Sequence, residues 1–330
     1  MGAAQTCDNT CCHLSESESL KQIGIGDGPD GLLETRAATS HGFSDRLYAY
    51  ADSEAAQDEA EINQTYFTRE LTELRDLPLQ SADGPRRRPR YFFTTGATYE
   101  GEWKGNMRHG IGMQVWKDGA VYSGNWEDNA ATGHGKFVHP NGDHFIGQWY
   151  CNSAQGLGTM FNNEGIAIYR GEWVHDLRHG EGLERWEGGE YYGQFVWGKK
   201  HGFGVYEWPD TSVYSGEWRS NSIQGHGHYK AWDGREFSGM WKEAVIHGRG
   251  RYEWPDGRAF AGQYVRDRKE GFGVFTWPGG KSFEGWWLDG KQHGNGVLRK
   301  EDVGIVKQGV WIHGVSPNDS GYITETAQTV

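Results

Sequence analysis

The chain has 330 residues, of which 51 are glycine and 16 tryptophan; 36% are hydrophobic and the formal charge is −12. No run approaches the ~18 apolar residues that a membrane helix needs, and nine prolines without a glycine at every third place exclude collagen. Four cysteines, three of them before residue 13, cannot frame a secreted disulfide scaffold, and the negative charge argues against nucleic acid as a partner.

Met1-Gly2-Ala3-Ala4-Gln5-Thr6 fits the N-myristoylation pattern, in which the freed amine of Gly2 accepts the acyl chain. Cys7, Cys11 and Cys12 follow where a myristoylated tail would hold them at a bilayer for S-palmitoylation. One acyl chain binds reversibly and a second makes the anchor stable. An unmodified tail is another reading of this stretch, and a metal site of Cys7, Cys11, Cys12 and His13 a third. With no apolar signal core after Met1, the chain reads as cytosolic. Residues 1–45 are expected to form a flexible, acylatable leader, rich in Ser, Gly and Asp from residue 13 on.

Residues 46–78 hold one amphipathic helix. Ile62, Tyr66, Phe67, Leu71, Leu74 and Leu77 recur at helical spacing opposite acidic residues, and Pro78 supplies a stop. A lone helix of this kind is marginal in water, so its stripe should dock on aromatics of the body or on a partner. Residues 79–98 form a basic linker and lead-in strand. There Pro85-Arg86-Arg87-Arg88-Pro89-Arg90 reads as a solvated hinge, or as a polybasic contribution at anionic lipid.

From residue 99 the chain repeats itself. All 16 tryptophans lie at or beyond Trp103, and 44 of the 51 glycines lie beyond residue 90. Each unit opens with aromatic-x-Gly-x-aromatic, as in Tyr99-Gly101-Trp103, Tyr122-Gly124-Trp126 and Phe283-Gly285-Trp287. A Gly-x-Gly follows, its first glycine at 110, 133, 156, 180, 202, 225, 248, 271 and 294, a period close to 23. A strand period of two puts both rings and the glycine on one face. After a polar turn such as Lys104–His109, a second strand starts at Gly-x-Gly and ends near an aromatic such as Trp116. Turn residues such as Asp118-Gly119 or Pro209-Asp210 then reverse the chain. Nine hairpins in series, tryptophan rings lying over neighbouring glycine backbone, give an all-β, elongated, single-layer antiparallel ribbon. Eighteen strands at ~4.8 Å amount to about 85 Å. A degenerate tenth unit survives at Gly309-Val310-Trp311, and residues 315–330 read as a flexible tail.

The pattern Tyr99-Glu-Gly-Glu-Trp-Lys, His109-Gly-Ile-Gly, Asp118-Gly119 resembles the MORN (membrane occupation and recognition nexus) repeat, and the resemblance covers 99–314. The slot before Gly-x-Gly departs from the usual His at Thr132, Gln155, Gln224 and Glu270, and Thr211 replaces a turn glycine. The resemblance implies a non-enzymatic module that joins membranes or cytoskeletal elements to protein partners.

Other motifs carry little. Gly280-Lys281-Ser282 resembles the end of a phosphate loop, but Phe275 stands where the first glycine must be. His175 and His179 lack a helix to align them as metal ligands, and His179 fills the recurring turn slot, where a hydrogen bond is the simpler role. No catalytic site, cofactor or metal is expected. The chain is read as a scaffold or adaptor anchored at the cytoplasmic face of a membrane, binding cytoskeletal or signalling proteins through an extended peptide or helix. A ciliary or cytoskeletal component without lipid and a direct lipid-binding module are the alternatives. The partner-binding face is assigned to Tyr99, Trp103, Tyr122, Trp126, Trp149, Trp173, Trp218, Trp241 and Trp287, and the open ends of the array invite a homodimer.

Overall fold

The computed structural model describes residues 66–78, 80 and 84–316, with the backbone of 26–27 and 33–34. Gly2, Cys7, Cys11 and Cys12, residues 46–65 of the expected helix and the tail beyond 316 lie outside the described residues. No described helix is long and apolar enough to cross a membrane. Two compact units divide the chain: among the described residues, the first holds 66–201 and the second holds 202–316 together with 26–27 and 33–34.

Short strands β1 (Gly26–Asp27) and β2 (Leu33–Glu34) pair antiparallel. These two strands group with the second unit. The first unit opens with α1 (Leu71–Asp76), β3 (Arg86–Arg87) and β4 (Tyr91–Phe92). Hairpin strands follow as β5 (Thr98–Lys104), β6 (Met107–Val115), β7 (Val121–Glu127), β8 (Ala130–Val138), β9 (His144–Tyr150), β10 (Ser153–Phe161), β11 (Ala167–Val174), β12 (Leu177–Trp186) and β13 (Gly189–Val196). The boundary lies within β14 (Lys199–Glu207). The second unit then runs through β15 (Val213–Arg219), β16 (Ser222–Lys230), β17 (Glu236–Lys242), β18 (Val245–Glu253), β19 (Ala259–Val265), β20 (Arg268–Trp277), β21 (Lys281–Leu288), β22 (Lys291–Lys300) and β23 (Gly304–Trp311). Within each unit every hairpin strand pairs antiparallel with the next in sequence, the expected meander of repeats.

Glycine sets the register. Gly101 faces Gly112, which faces Gly124, which faces Gly135, and the ladder continues through Gly147, Gly158, Gly171, Gly182 and Gly193. An equivalent ladder in the second unit runs from Gly204 to Gly309. A Cβ on Gly101 would stand 2.5 Å from the Gly112 Cα and 2.7 Å from the Tyr99 hydroxyl, so no larger residue fits beneath the ring.

The second strand of each repeat starts earlier than Gly-x-Gly. β6 begins at Met107, because the preceding turn needs only Gly105 and Asn106. Gly101 opposes Gly112 while Trp103 opposes Arg108, so two steps on β5 face four on β6. The surplus is a bulge at Gly110, whose φ is +63°. It turns Arg108, which sequence spacing assigns to a polar turn, inward.

Two kinds of turn alternate. Asp128-Asn129, Cys151-Asn152 and His175-Asp176 have both residues at positive φ, the two-residue hairpin geometry matched to strand twist. They also stitch repeats together. Asn129 donates its N–H to the Arg108 carbonyl at 3.0 Å, and its side-chain oxygen accepts the Arg108 N–H at 2.8 Å. Asn152 with Ala131 and Asp176 with Ala154 do the same. The other turn is the loop Trp116–Ala120, closed by two backbone hydrogen bonds, with Gly119 at φ +95°.

The basic run joins the sheet while its Arg86 and Arg87 side chains stay exposed to solvent. Arg86 and Arg87 form β3 against Trp103 and Glu102 of β5. Arg87 and Arg90 pair with Glu100, and Arg88 donates to the Gly105 carbonyl with its guanidinium over the Trp103 ring.

Candidate functional site

The two rings of each repeat have different jobs, and this corrects the expectation that tryptophan covers the glycines. The first aromatic does so: Tyr99 lies across Gly101 and Gly112, and its hydroxyl donates to the Glu102 carbonyl at 2.9 Å. Tyr122, Tyr169, Tyr191 and Tyr214 repeat this bond three residues on. Tryptophan instead joins one repeat to the one before. Trp126 donates its indole N–H to the Gly112 carbonyl at 3.2 Å and packs edge-to-face on Tyr99 and Tyr122. Trp149, Trp173, Trp218, Trp241 and Trp287 donate equivalently to Gly135, Gly158, Gly204, Gly227 and Gly273. Trp103, in the first repeat, has no such acceptor among the described residues.

The nine residues assigned to a partner-binding face are therefore buried. Tyr99 and Tyr122 are 0% exposed, and none of Trp103, Trp126, Trp149, Trp173, Trp218, Trp241 and Trp287 exceeds 8%. The expectation of an uncovered aromatic surface is corrected: these rings are consumed by inter-repeat packing and, in the first unit, by a helix.

Residues 66–68 are helical and lead into α1 across this face. Phe67 is fully buried, its ring 5.2–5.9 Å from those of Trp116, Tyr122, Trp126, Phe137 and Trp149. Tyr66 packs on Trp116 and Phe137 and donates its hydroxyl to Asp118 at 2.8 Å. Glu70, 1% exposed, accepts from Gln114, the Trp116 indole and Thr95. Glu73 accepts from Tyr91 and Thr94, and Asn106 donates to the Leu77 carbonyl.

Beneath the helix lies Arg108, wholly buried. Its guanidinium donates to Gln114, the Phe67 carbonyl and the Asn129 carbonyl, and stacks over Trp126. Burial pulls its pKa down to about 10, against the attraction of Glu70 and the Tyr99 side chain. The corresponding place, two residues before Gly-x-Gly, is basic in three further repeats. Arg178 and Lys200 both pair with Glu184, Lys200 at 2.6 Å, among the rings of Tyr169 and Tyr191. Burial would raise the Glu184 carboxyl, but the two cations outweigh it and hold the pKa at about 2. Lys269 sits 5.2–5.6 Å from the rings of Trp254, Phe260, Phe275 and Trp287. Sequence reasoning missed this inward cation because the bulge that turns it in leaves no trace in hydropathy.

Two recurring polar slots are structural. The residue between glycine and tryptophan covers the bulge of the next strand: Gln148 accepts from Leu157, Glu217 from His226 and Gln263 from Phe272. The slot before Gly-x-Gly accepts the N–H of the next repeat's turn, as His109 does from Asp128 and Glu270 from Asp289. Gln155 and His293 do likewise, which is why His, Gln and Glu interchange there. Among the described residues no three His, Cys, Asp or Glu side chains are grouped to hold a metal.

A single-layer sheet of 23-residue hairpins, glycine-laddered and bound repeat to repeat by Trp–carbonyl bonds, defines a β-hairpin repeat protein. The MORN repeat family matches residues 99–121, 122–144, 169–190, 191–213, 214–231, 237–257, 260–282 and 283–302, just over half of the chain, and the chain belongs to that family. Strands β9 and β10 add a further repeat of the same geometry, with the Gly147–Gly158 pair beneath Phe145. MORN repeat-containing protein 3 of Xenopus laevis is 37% identical over 65 residues, which are 17% of this chain and 27% of that relative. The chain thus spans about a quarter of the relative's length. Among solved structures, the E1021V mutant of the TCP10 domain of Danio rerio CPAP overlaps 68% of this chain and all of its own. Its identity is 11% and its TM-score 0.26. The SAS-4 TCP domain of Drosophila melanogaster, in complex with a proline-rich motif of Ana2, gives 62% and 93% coverage, 11% identity and a TM-score of 0.25. At these scores neither likeness bears on function.

Proposed function

We propose that this chain is a non-enzymatic scaffold, held at the cytoplasmic face of a membrane by acyl chains on Gly2 and on Cys7, Cys11 or Cys12. In this reading the repeat array engages cytoskeletal or signalling proteins. The observation that carries it is the seat of Phe67 among five rings: the repeats bind an amphipathic helix, and their polar groups serve repeat-to-repeat contacts. With the inner rings so committed, partner contact falls to the outer face. There Phe272 and Trp286 are cross-strand neighbours with ring centroids 6.1 Å apart, 45% and 52% exposed. Exposed aromatic pairs are the usual anchors of protein interfaces.

The test is fractionation of the full chain. Gly2→Ala should release the protein from the membrane pellet, as should serine at Cys7, Cys11 and Cys12 together. Unchanged membrane retention of both variants contradicts the anchor.

A further inference from the structure

One slot of the repeat breaks its own rule on the outer face. The residue between glycine and tryptophan accepts the bulge N–H of the next strand: Asn125 from His134, Gln148 from Leu157, Glu172 from Glu181, Glu217 from His226 and Gln263 from Phe272. Met240 and Trp286 fill this slot on β17 and β21, and neither side chain carries an oxygen to accept with. A hydrogen bond that five repeats make is given up at both places, and at one of them a 52% exposed indole stands instead. Fold stability does not account for that exchange. Phe272 lies directly across from Trp286, and Val274 and Val310 stand on the same face. Arg249 occupies on β18 the place that Phe272 has on β20, and there the face turns basic. Arg249 and Arg251 are both exposed; Arg251 pairs with Glu253, whereas Arg249 has no ion pair among the described residues.

We infer that the outer face of repeats seven to nine binds an acidic segment of a protein partner, with an apolar side chain on Phe272 and Trp286 and a carboxylate on Arg249; this rests on the outer-face contact proposed above and adds its chemistry. Charge selects the acid. Strands β16, β17 and β18 carry four basic residues (Lys230, Lys242, Arg249 and Arg251) against two acidic ones (Glu236 and Glu253), in a chain whose formal charge is −12. A guanidinium free of any carboxylate of its own chain presents the fork that a carboxylate fits. The spacing suits a peptide. Strand β18 lies two strands from Phe272 and three from Trp286, about 10–14 Å, which is about three or four residues of extended chain crossing the strands. An anionic bilayer fits less well. Glu284, two residues before Trp286, stands between Val274 and Val297, and Glu253 flanks Arg251, so lipid headgroups would meet carboxylates as well.

Selection of short linear peptides from a random library on the full-length protein tests this. Enriched peptides should carry Asp or Glu about three or four residues from an aromatic or large aliphatic residue. Trp286→Gln should weaken their binding at least about tenfold. It should leave the unfolding midpoint in place, since glutamine is the slot's own residue at Gln148 and Gln263. Arg249→Gln should weaken binding about fivefold, and Arg249→Glu should redirect the selection to peptides bearing Lys or Arg. If Trp286→Gln acts while Arg249→Glu changes nothing, the acidic partner is overturned and the aromatic contact alone stands. If no peptide depends on either residue, both are overturned. Vesicles of phosphatidylserine and phosphatidylcholine supply the other arm: binding to them that Arg249→Gln and Trp286→Gln abolish would make this a lipid surface and overturns the proposal. So does unfolding of Trp286→Gln, which would make the indole a structural residue.

Discussion

Repeats one to three and repeats four and five are built from the same hairpin, yet they neutralise their inward cation differently. Under α1, Arg108 is met by Gln114 and backbone carbonyls of the sheet and by Glu70 from the helix. In repeats four and five, Arg178 and Lys200 close on Glu184, a residue of β12 itself. Glu184 occupies on β12 the place Gln114 has on β6, opposite the covering tyrosine in both. One repeat position therefore decides whether the ring face supplies its own counter-charge or takes it from the segment lying across it.

The sharpest way to break this comparison is at the helix. Phe67→Ala empties a socket lined by five aromatic rings and should lower unfolding free energy by about 3–4 kcal/mol in urea titrations. A loss below about 1 kcal/mol would mean that the helix contributes little to closing repeats one to three.

A second effect, nearly as large at neutral pH, belongs to the turn that precedes the Arg178 pair. Burial pushes the Asp176 carboxyl from the ordinary 3.8 up to about 7, against the opposing pull of hydrogen bonds from the Ala154 N–H and the Ser153 side chain. The unfolded chain gives up this proton near 3.8 and the folded chain near 7, so stability should fall as pH rises between those values and stay low above. Asparagine fills the same slot at Asn129 and Asn152. Asp176→Asn should flatten this part of the pH profile and stabilise the protein at pH 8 by on the order of 2 kcal/mol, read from thermal unfolding across pH. An unchanged slope would remove Asp176 as its source.

The smallest expected change lies in the turn near the end of repeat five. Thr211 occupies a turn position at φ +69° that glycine fills in most other repeats. A β-branched side chain is strained there, and Thr211→Gly should gain about 0.5–1 kcal/mol. Destabilisation instead would show that the Thr211 side chain contributes more than its backbone strain costs.

The repeat, its strands and its one-sided aromatic pattern were legible because period two and period 23 are both written in Gly, Trp and Tyr. The helix stripe was legible for the same reason, since Tyr66, Phe67 and Leu74 mark a buried face. Bulges were not, because Gly110 reads as one more strand glycine until its φ is known. With the bulge went the inward turn of Arg108, and with Arg108 the reason for Glu70, an acid that hydropathy places toward solvent. The exposure of the rings was misjudged because a sheet viewed strand by strand leaves one face open. Close Tyr–Gly contact, Trp–carbonyl bonds and the crossing helix close that face in three dimensions.

A helix of this chain is seated on its own repeats, and hydrogen exchange at residues 66–76 of the full-length protein reads that directly. Amides of 71–76 should be protected to within about tenfold of those in β6 and β7, and should lose protection together with them in Phe67→Ala. Exchange of 71–76 at the rate of an isolated peptide, with β6 and β7 still protected, would contradict it.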